Sequence, residues 1–231
     1  MGNMISYKRP DSKEVQGYLA TPASGADKAP GIVVIQEWWG LNDQIKGVAD
    51  MLAAKGYRAL VPDLYRGKVG LSANEAEHLM NELDFGDAAG QDVAGAVTHL
   101  KATGSSKVGV TGFCMGGALT LLSAVFVPNM DAGVAWYGYP PLEFIDASKI
   151  TAPLMAHFAI DDVPFPIAKV DELEKKLTAA KVQFEFHRYQ AKHAFANEEA
   201  DNKGLSILKY DAALAEQAWK RTLGFFDKHL H

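Results

Sequence analysis

Short apolar runs alternate with stretches of helical periodicity along almost the whole chain, and few folds can satisfy that alternation. GIVVIQ (31–36) and YRALVPD (57–63) are too short for helices and too continuously apolar for strands with one wet face. KVGVTGF (107–113), AGVAWYG (132–138) and APLMAHFA (152–159) repeat the pattern. A strand apolar on both sides must be buried on both sides, which calls for a mostly parallel sheet with helices on each face. The intervening segments supply those helices: Ile45, Val48, Ala49 and Leu52, then Val93, Val97 and Leu100, then Ile167, Val170, Leu173 and Leu177 recur at helical spacing. Gly56 ends the first of them, and helices are predicted around 73–83 and 90–101 and after Pro166.

At the margins, EVQGYLATP (14–22) reads as an early antiparallel edge strand. VQFEFHRY (182–189) alternates with period two and reads as a late strand. The tail from about 205 reads as a long amphipathic helix carrying Leu208, Ala212, Ala215, Trp219, Leu223 and Phe226. There is no repeat, low-complexity tract or linker, so residues 1–231 are read as one α/β domain.

Composition narrows the partners. A net charge of −5 with no basic block argues against nucleic acid. No segment approaches the ~18 consecutive apolar residues of a membrane span. The single cysteine cannot form an internal disulfide, so a cytoplasmic protein is expected, a monomer or small homo-oligomer acting on a small molecule. With no second cysteine and no H-E-x-x-H, neither metal nor cofactor is expected.

That one cysteine stands in TGFCMGG. An apolar strand ends, Gly112 and Gly116 flank Cys114 two residues to either side, and an apolar helix follows from Met115. This is G-x-C-x-G, the thiol form of the strand–turn–helix elbow that lifts a nucleophile above the carboxyl end of a sheet. There a helix N-terminus favours the thiolate and free backbone amides can hold an oxyanion. A dinucleotide loop is excluded because the glycines do not make G-x-G-x-x-G.

A thiol nucleophile needs a base, and the base an orienting acid, which in this elbow architecture follow downstream in the order acid, histidine. Asp161 and Asp162 come just after a core strand; His193 lies in a loop between the last strand and the terminal helix, whereas the other six histidines fall in helices, strands or the chain end. Glu37 follows the first core strand and so sits beside the same crevice. Trp38, Trp39, Tyr137 and Phe165 are candidate walls of a substrate site there.

Taken together, QEWWGLN, VPDLYRG, GFCMGGA, DVPFP and HAFAN resemble the dienelactone hydrolase family of the α/β-hydrolase fold, with similarity running from about residue 14 to 226. The resemblance implies Cys114 as nucleophile, His193 as base and Asp162 as the orienting acid. It implies that Glu37 exchanges hydrogen bonds with the resting cysteine and helps form the thiolate, and that the amides of Trp38 and Met115 make the oxyanion hole. One departure concerns the substrate. Where members that take carboxylated dienelactones have an arginine four residues after the histidine, this chain has Asn197. Arg66, after the second core strand, and Lys192, before the histidine, could each return a positive charge to the crevice. The function expected is hydrolysis of a carboxylic ester or lactone through an acyl-cysteine. Acyl transfer or thioester cleavage by the same residues, and small-molecule binding without catalysis, are the alternatives.

Overall fold

The apolar runs pair as the core of one sheet. The computed structural model describes residues 2–231, in which the strands are β1 (Asn3–Lys8), β2 (Glu14–Ala20), β3 (Gly31–Ile35), β4 (Arg58–Pro62), β5 (Val108–Phe113), β6 (Ala132–Trp136), β7 (Leu154–Ala159) and β8 (Phe184–Tyr189). Their order across the sheet is β1-β2-β4-β3-β5-β6-β7-β8. β2 pairs antiparallel with β1 and with β4, and every pairing from β4 to β8 is parallel.

Side chains leave a strand alternately to its two faces, so each core strand feeds two cores. Val33, Ile35 and Leu60 join one cluster, Ile32, Val34, Ala59 and Val61 the other. The first is covered by α4 (Ala94–Ala102), α5 (Met115–Phe126) and α6 (Ile167–Ala179), the second by α1 (Asp43–Ala54) and α7 (Ala212–Leu230). α5 is buried from Met115 to Val125, consistent with apolar residues all round it. None of the helices described is long and apolar enough to cross a membrane.

The structure revises three elements. β1 lies outside β2, so the segment read as an edge strand is interior; NMISYK buries only Tyr7, and too little apolar alternation marks it as a strand. The terminal helix begins at Ala212, where the Asp211 side chain accepts from the Leu214 amide at 3.0 Å, and Leu208 instead bridges to His193 in an irregular segment. The segment read as a helix over 90–101 is a single turn α3 (Phe85–Asp87), a π-helical stretch Ala88–Val93 and α4 in succession.

After β3 the chain crosses to β4 on one side of it and then to β5 on the other. That reversal opens a crevice at the carboxyl ends of β3 and β5, which is where ligands bind in open parallel sheets. Register carries Ile35 opposite Gly112, Phe113 opposite Trp136 and Ala159 opposite Tyr189. The loops holding Glu37, Cys114, Tyr137, Asp162 and His193 therefore all begin at one rim.

Candidate active site

Cys114 occupies the turn between β5 and α5 with φ +55° and ψ −115°, a backbone conformation that non-glycine residues rarely adopt. The turn closes so tightly that a Cβ on Gly112 would stand 2.2 Å from the Gly116 carbonyl oxygen, and one on Gly116 2.4 Å from that of Ile35. The Gly-x-Cys-x-Gly spacing is thus a packing requirement of the elbow. Gly138, which sequence reasoning did not single out, serves the same turn from β6: its Cβ would lie 1.9 Å from the Cys114 carbonyl oxygen. The Cys114 amide donates to Trp136 O at 2.9 Å, tying the elbow to the neighbouring strand.

Across the crevice His193 is buried, and its Nδ1 lies 2.7 Å from Asp162 Oδ2, also buried. Asp162 Oδ1 accepts from the Phe165 amide at 2.8 Å, so both carboxylate oxygens are engaged. The Phe165 ring stacks on the imidazole at 5.5 Å and 22°, and the Tyr137 ring meets it edge-on at 5.2 Å. Held on three sides, the ring keeps Nδ1 toward the acid and presents Nε2 to the cavity that Cys114 also lines. Burial pulls the His193 pKa down, but the neighbouring Cys114 and Asp162 charges outweigh it and raise it to about 10. Asp161 turns outward and accepts from Gln190 Nε2 at 2.6 Å.

Glu37 is buried beside them. Its Oε1 accepts from Tyr137 OH at 3.2 Å and its Oε2 from Asn197 Nδ2 at 2.8 Å. Burial raises its pKa, with His193 and these two donors acting in the opposite direction. No hydrogen bond joins Glu37 to Cys114 among the described residues, so the contact implied by the family resemblance is replaced by this two-sided clamp. The amides of Trp38 and Met115 have no hydrogen-bond acceptor among the described residues.

Cys114 and His193 open on a cavity of about 340 Å³ walled by Trp38, Met80, Phe85, Met115, Ala118, Tyr139, Pro140, Pro141, Pro164, Phe165, Ile207 and Leu208. Of the residues expected at the substrate site, Trp38 and Phe165 line the cavity and Trp39, Tyr137, Asn197 and Arg66 do not. Trp39 lies beneath Trp38, buried, with Lys203 over its ring at 4.8 Å. Tyr137 and Asn197 are spent on Glu37. Arg66 is turned away altogether: it takes φ +54° in the turn after β4, which sends its guanidinium to Asp63 O at 2.8 Å and to Asp92 at 2.9 Å. Met80, Phe85, Ile207 and Leu208 were missed as wall residues, because nothing in their local pattern says that segments on either side of the sheet rim fold over it.

A tight cysteine-bearing turn at the sheet rim, an Asp–His pair facing the same cavity and an eight-stranded mostly parallel sheet match the α/β-hydrolase fold. The chain belongs to the dienelactone hydrolase family, whose sequence model matches residues 15–230. It is 35% identical over the full length of both chains to the protein called usf of Aquifex pyrophilus. Among solved structures it is similar to a dienelactone hydrolase-like promiscuous phosphotriesterase from metagenomic libraries, with a TM-score of 0.88 at 24% identity over 100% of this chain and 99% of the other. It is also similar to esterase 2 of Thermogutta terrifontis, at TM-score 0.71, 18% identity and 98% and 94% coverage. These last two likenesses concern the fold.

Proposed function

We propose that the protein hydrolyses carboxylic esters or lactones through an acyl-cysteine intermediate. The observation that carries this reading is the buried Asp162–His193 pair at 2.7 Å opening on the same cavity as a cysteine held at φ +55°. Asp162 fixes the Nδ1–H tautomer, leaving Nε2 to take the proton from the Cys114 thiol. The thiolate attacks the carbonyl carbon, and the oxygen, now an anion, is received by the unengaged amides of Trp38 and Met115, the latter at the positive end of α5. Collapse breaks the ester C–O bond and His193 returns its proton to the departing alkoxide. Water then attacks the thioester with His193 again as base, releasing the acid and the thiol.

Hydrolysis of 4-nitrophenyl esters by wild type, Cys114→Ala, Asp162→Asn and Asp161→Asn tests the assignment. Cys114→Ala abolishes turnover with the fold retained by circular dichroism. Asp162→Asn lowers kcat by about a hundredfold or more, since the amide no longer holds the correct tautomer. Asp161→Asn stays near wild type. Turnover by Cys114→Ala within tenfold of wild type would sink the mechanism, and Asp161→Asn as the worse of the two acid variants would move the acid by one residue.

A further inference from the structure

The cavity above Cys114 is lined by no charged side chain other than His193 among the described residues, and Arg66, Lys192 and Lys203 are each committed elsewhere. Arg66 is bound to Asp63 O and Asp92, Lys192 Nζ donates to Ser206 O at 3.0 Å, and Lys203 is paired with Glu199 at 3.1 Å. Lys169 lies outside the inner cavity. It lines an outer cleft of about 460 Å³ that shares Tyr139, Pro140, Pro141, Pro164 and Phe165 with the inner cavity as a common wall, and there it is paired with Glu172 at 2.8 Å. Two buried carboxylates, Glu37 and Asp162, stand close behind the reacting centre. An anionic acyl group entering the inner cavity would lose its water and find no cation but His193, whose charge is already matched by Asp162 at 2.7 Å.

Met80 and Phe85 also line the cavity, together with Tyr139 and Phe165. Met80 is on α2 (Ala73–Glu82), a helix that buries only Ala76, and Phe85 follows one short turn later. Flexible thioether and aromatic side chains on a lightly anchored segment adapt to apolar groups of different lengths.

Resting on the ester-hydrolase reading above, we propose that this site selects uncharged substrates whose acyl part is apolar, packed among Met80, Phe85, Tyr139 and Phe165. Carboxylated acyl groups are rejected because the inner cavity holds no cation besides His193, which is already paired with Asp162. The selection is steric and dielectric in origin, so it acts on kcat/KM through the acyl group.

The test compares two esters of the same shape, mono-4-nitrophenyl adipate and 4-nitrophenyl 6-methylheptanoate, in which a terminal isopropyl group replaces the carboxylate. In the wild type kcat/KM favours the uncharged ester by about a hundredfold, the scale of burying a carboxylate without a partner. Met80→Lys narrows that ratio by about tenfold or more by supplying a cation to the cavity, whereas Met80→Leu leaves it within about threefold. Equal or faster hydrolysis of the adipate ester, abolished in Cys114→Ala, overturns the substrate class and leaves the hydrolase reading standing. Hydrolysis of neither ester above the Cys114→Ala background overturns the hydrolase reading itself, and the substrate class with it.

Discussion

Glu37 shows how much a single side chain can depend on partners far away in the chain. A carboxylate buried at the end of β3 is costly unless its oxygens are satisfied, and here each has one donor, from Tyr137 and from Asn197. Tyr137 pays for its place with a strained backbone, φ +36°, while Asn197 is steadied by the Glu199 amide, which donates to its Oδ1 at 2.9 Å. Because burial raises the Glu37 pKa, folding binds a proton there more readily than the unfolded chain does, so stability is lost as pH rises from the ordinary carboxylate range. Asn197→Leu removes a hydrogen bond that favours the charged form and raises that pKa further. Its cost in urea unfolding should therefore be about 1–3 kcal/mol at pH 8 and smaller at pH 5, where protonation relieves the missing donor. A cost independent of pH would show that the bond is not made to the ionised acid. Sequence reasoning placed Asn197 against the substrate because it lies four residues from His193. It did not foresee the partner, which is 160 residues earlier in the chain. Arg66 was misread for a related reason. Its position after β4 was legible, but a left-handed turn decides where its side chain goes, and nothing short of the buried Asp92 in the π-helical stretch hints at the destination.

At the level of elements, the core strands and the elbow were legible because their causes are local: continuous burial leaves continuous apolar runs, and the close approach at Gly112 and Gly116 admits no side chain. β1 and the start of α7 were not, since β1 is held by pairing with β2 and α7 starts where Asp211 caps it. The caps also separate elements by how much of the molecule depends on them. α7 buries Ala215, Ala218, Phe225, Phe226 and Leu230 against the sheet, whereas α2, with a full capping box between Ser72 and Glu75, buries only Ala76. Asp211→Ala should lower global stability by about 1 kcal/mol, read from the urea midpoint. Ser72→Ala should leave that midpoint within error and instead speed amide exchange in residues 73–82, because fraying a lightly packed helix opens it without unfolding the core. Equal shifts of the midpoint in both variants would show that α2 is part of the global cooperative unit and not a separable wall of the cavity.

For the whole molecule, histidines set opposite limits on the pH range of stability. His157 is fully buried between β7 and α7, with Tyr189 OH at 2.9 Å from Nδ1 and Thr222 Oγ1 at 2.8 Å from Nε2. Burial first, then the nearby His187 and Arg221 charges, hold its pKa well below the ordinary value of 6.5. A depressed histidine pKa means that the unfolded chain takes up a proton the native state refuses, so stability falls as pH drops below about 6.5, with a slope of about 1.4 kcal/mol per pH unit for that one group. His187, His99 and His229 are lowered in the same direction, mainly by burial. His193 acts the other way. Its pKa is raised to about 10, so its contribution is complete below 6.5 and drains away as pH rises toward 10. Stability should therefore peak near neutrality, with the alkaline limb belonging to the crevice at the sheet rim and the acid limb to the interface beneath α7. Urea midpoints of wild type, His157→Gln and His193→Gln between pH 5 and 10 separate the two limbs. His157→Gln flattens the acid limb by about one proton's worth of slope even though it lowers stability at neutral pH, and His193→Gln flattens only the alkaline one. An acid limb unchanged in His157→Gln would mean that the native state accommodates the imidazolium beneath α7, contrary to the fully paired and enclosed geometry around that ring.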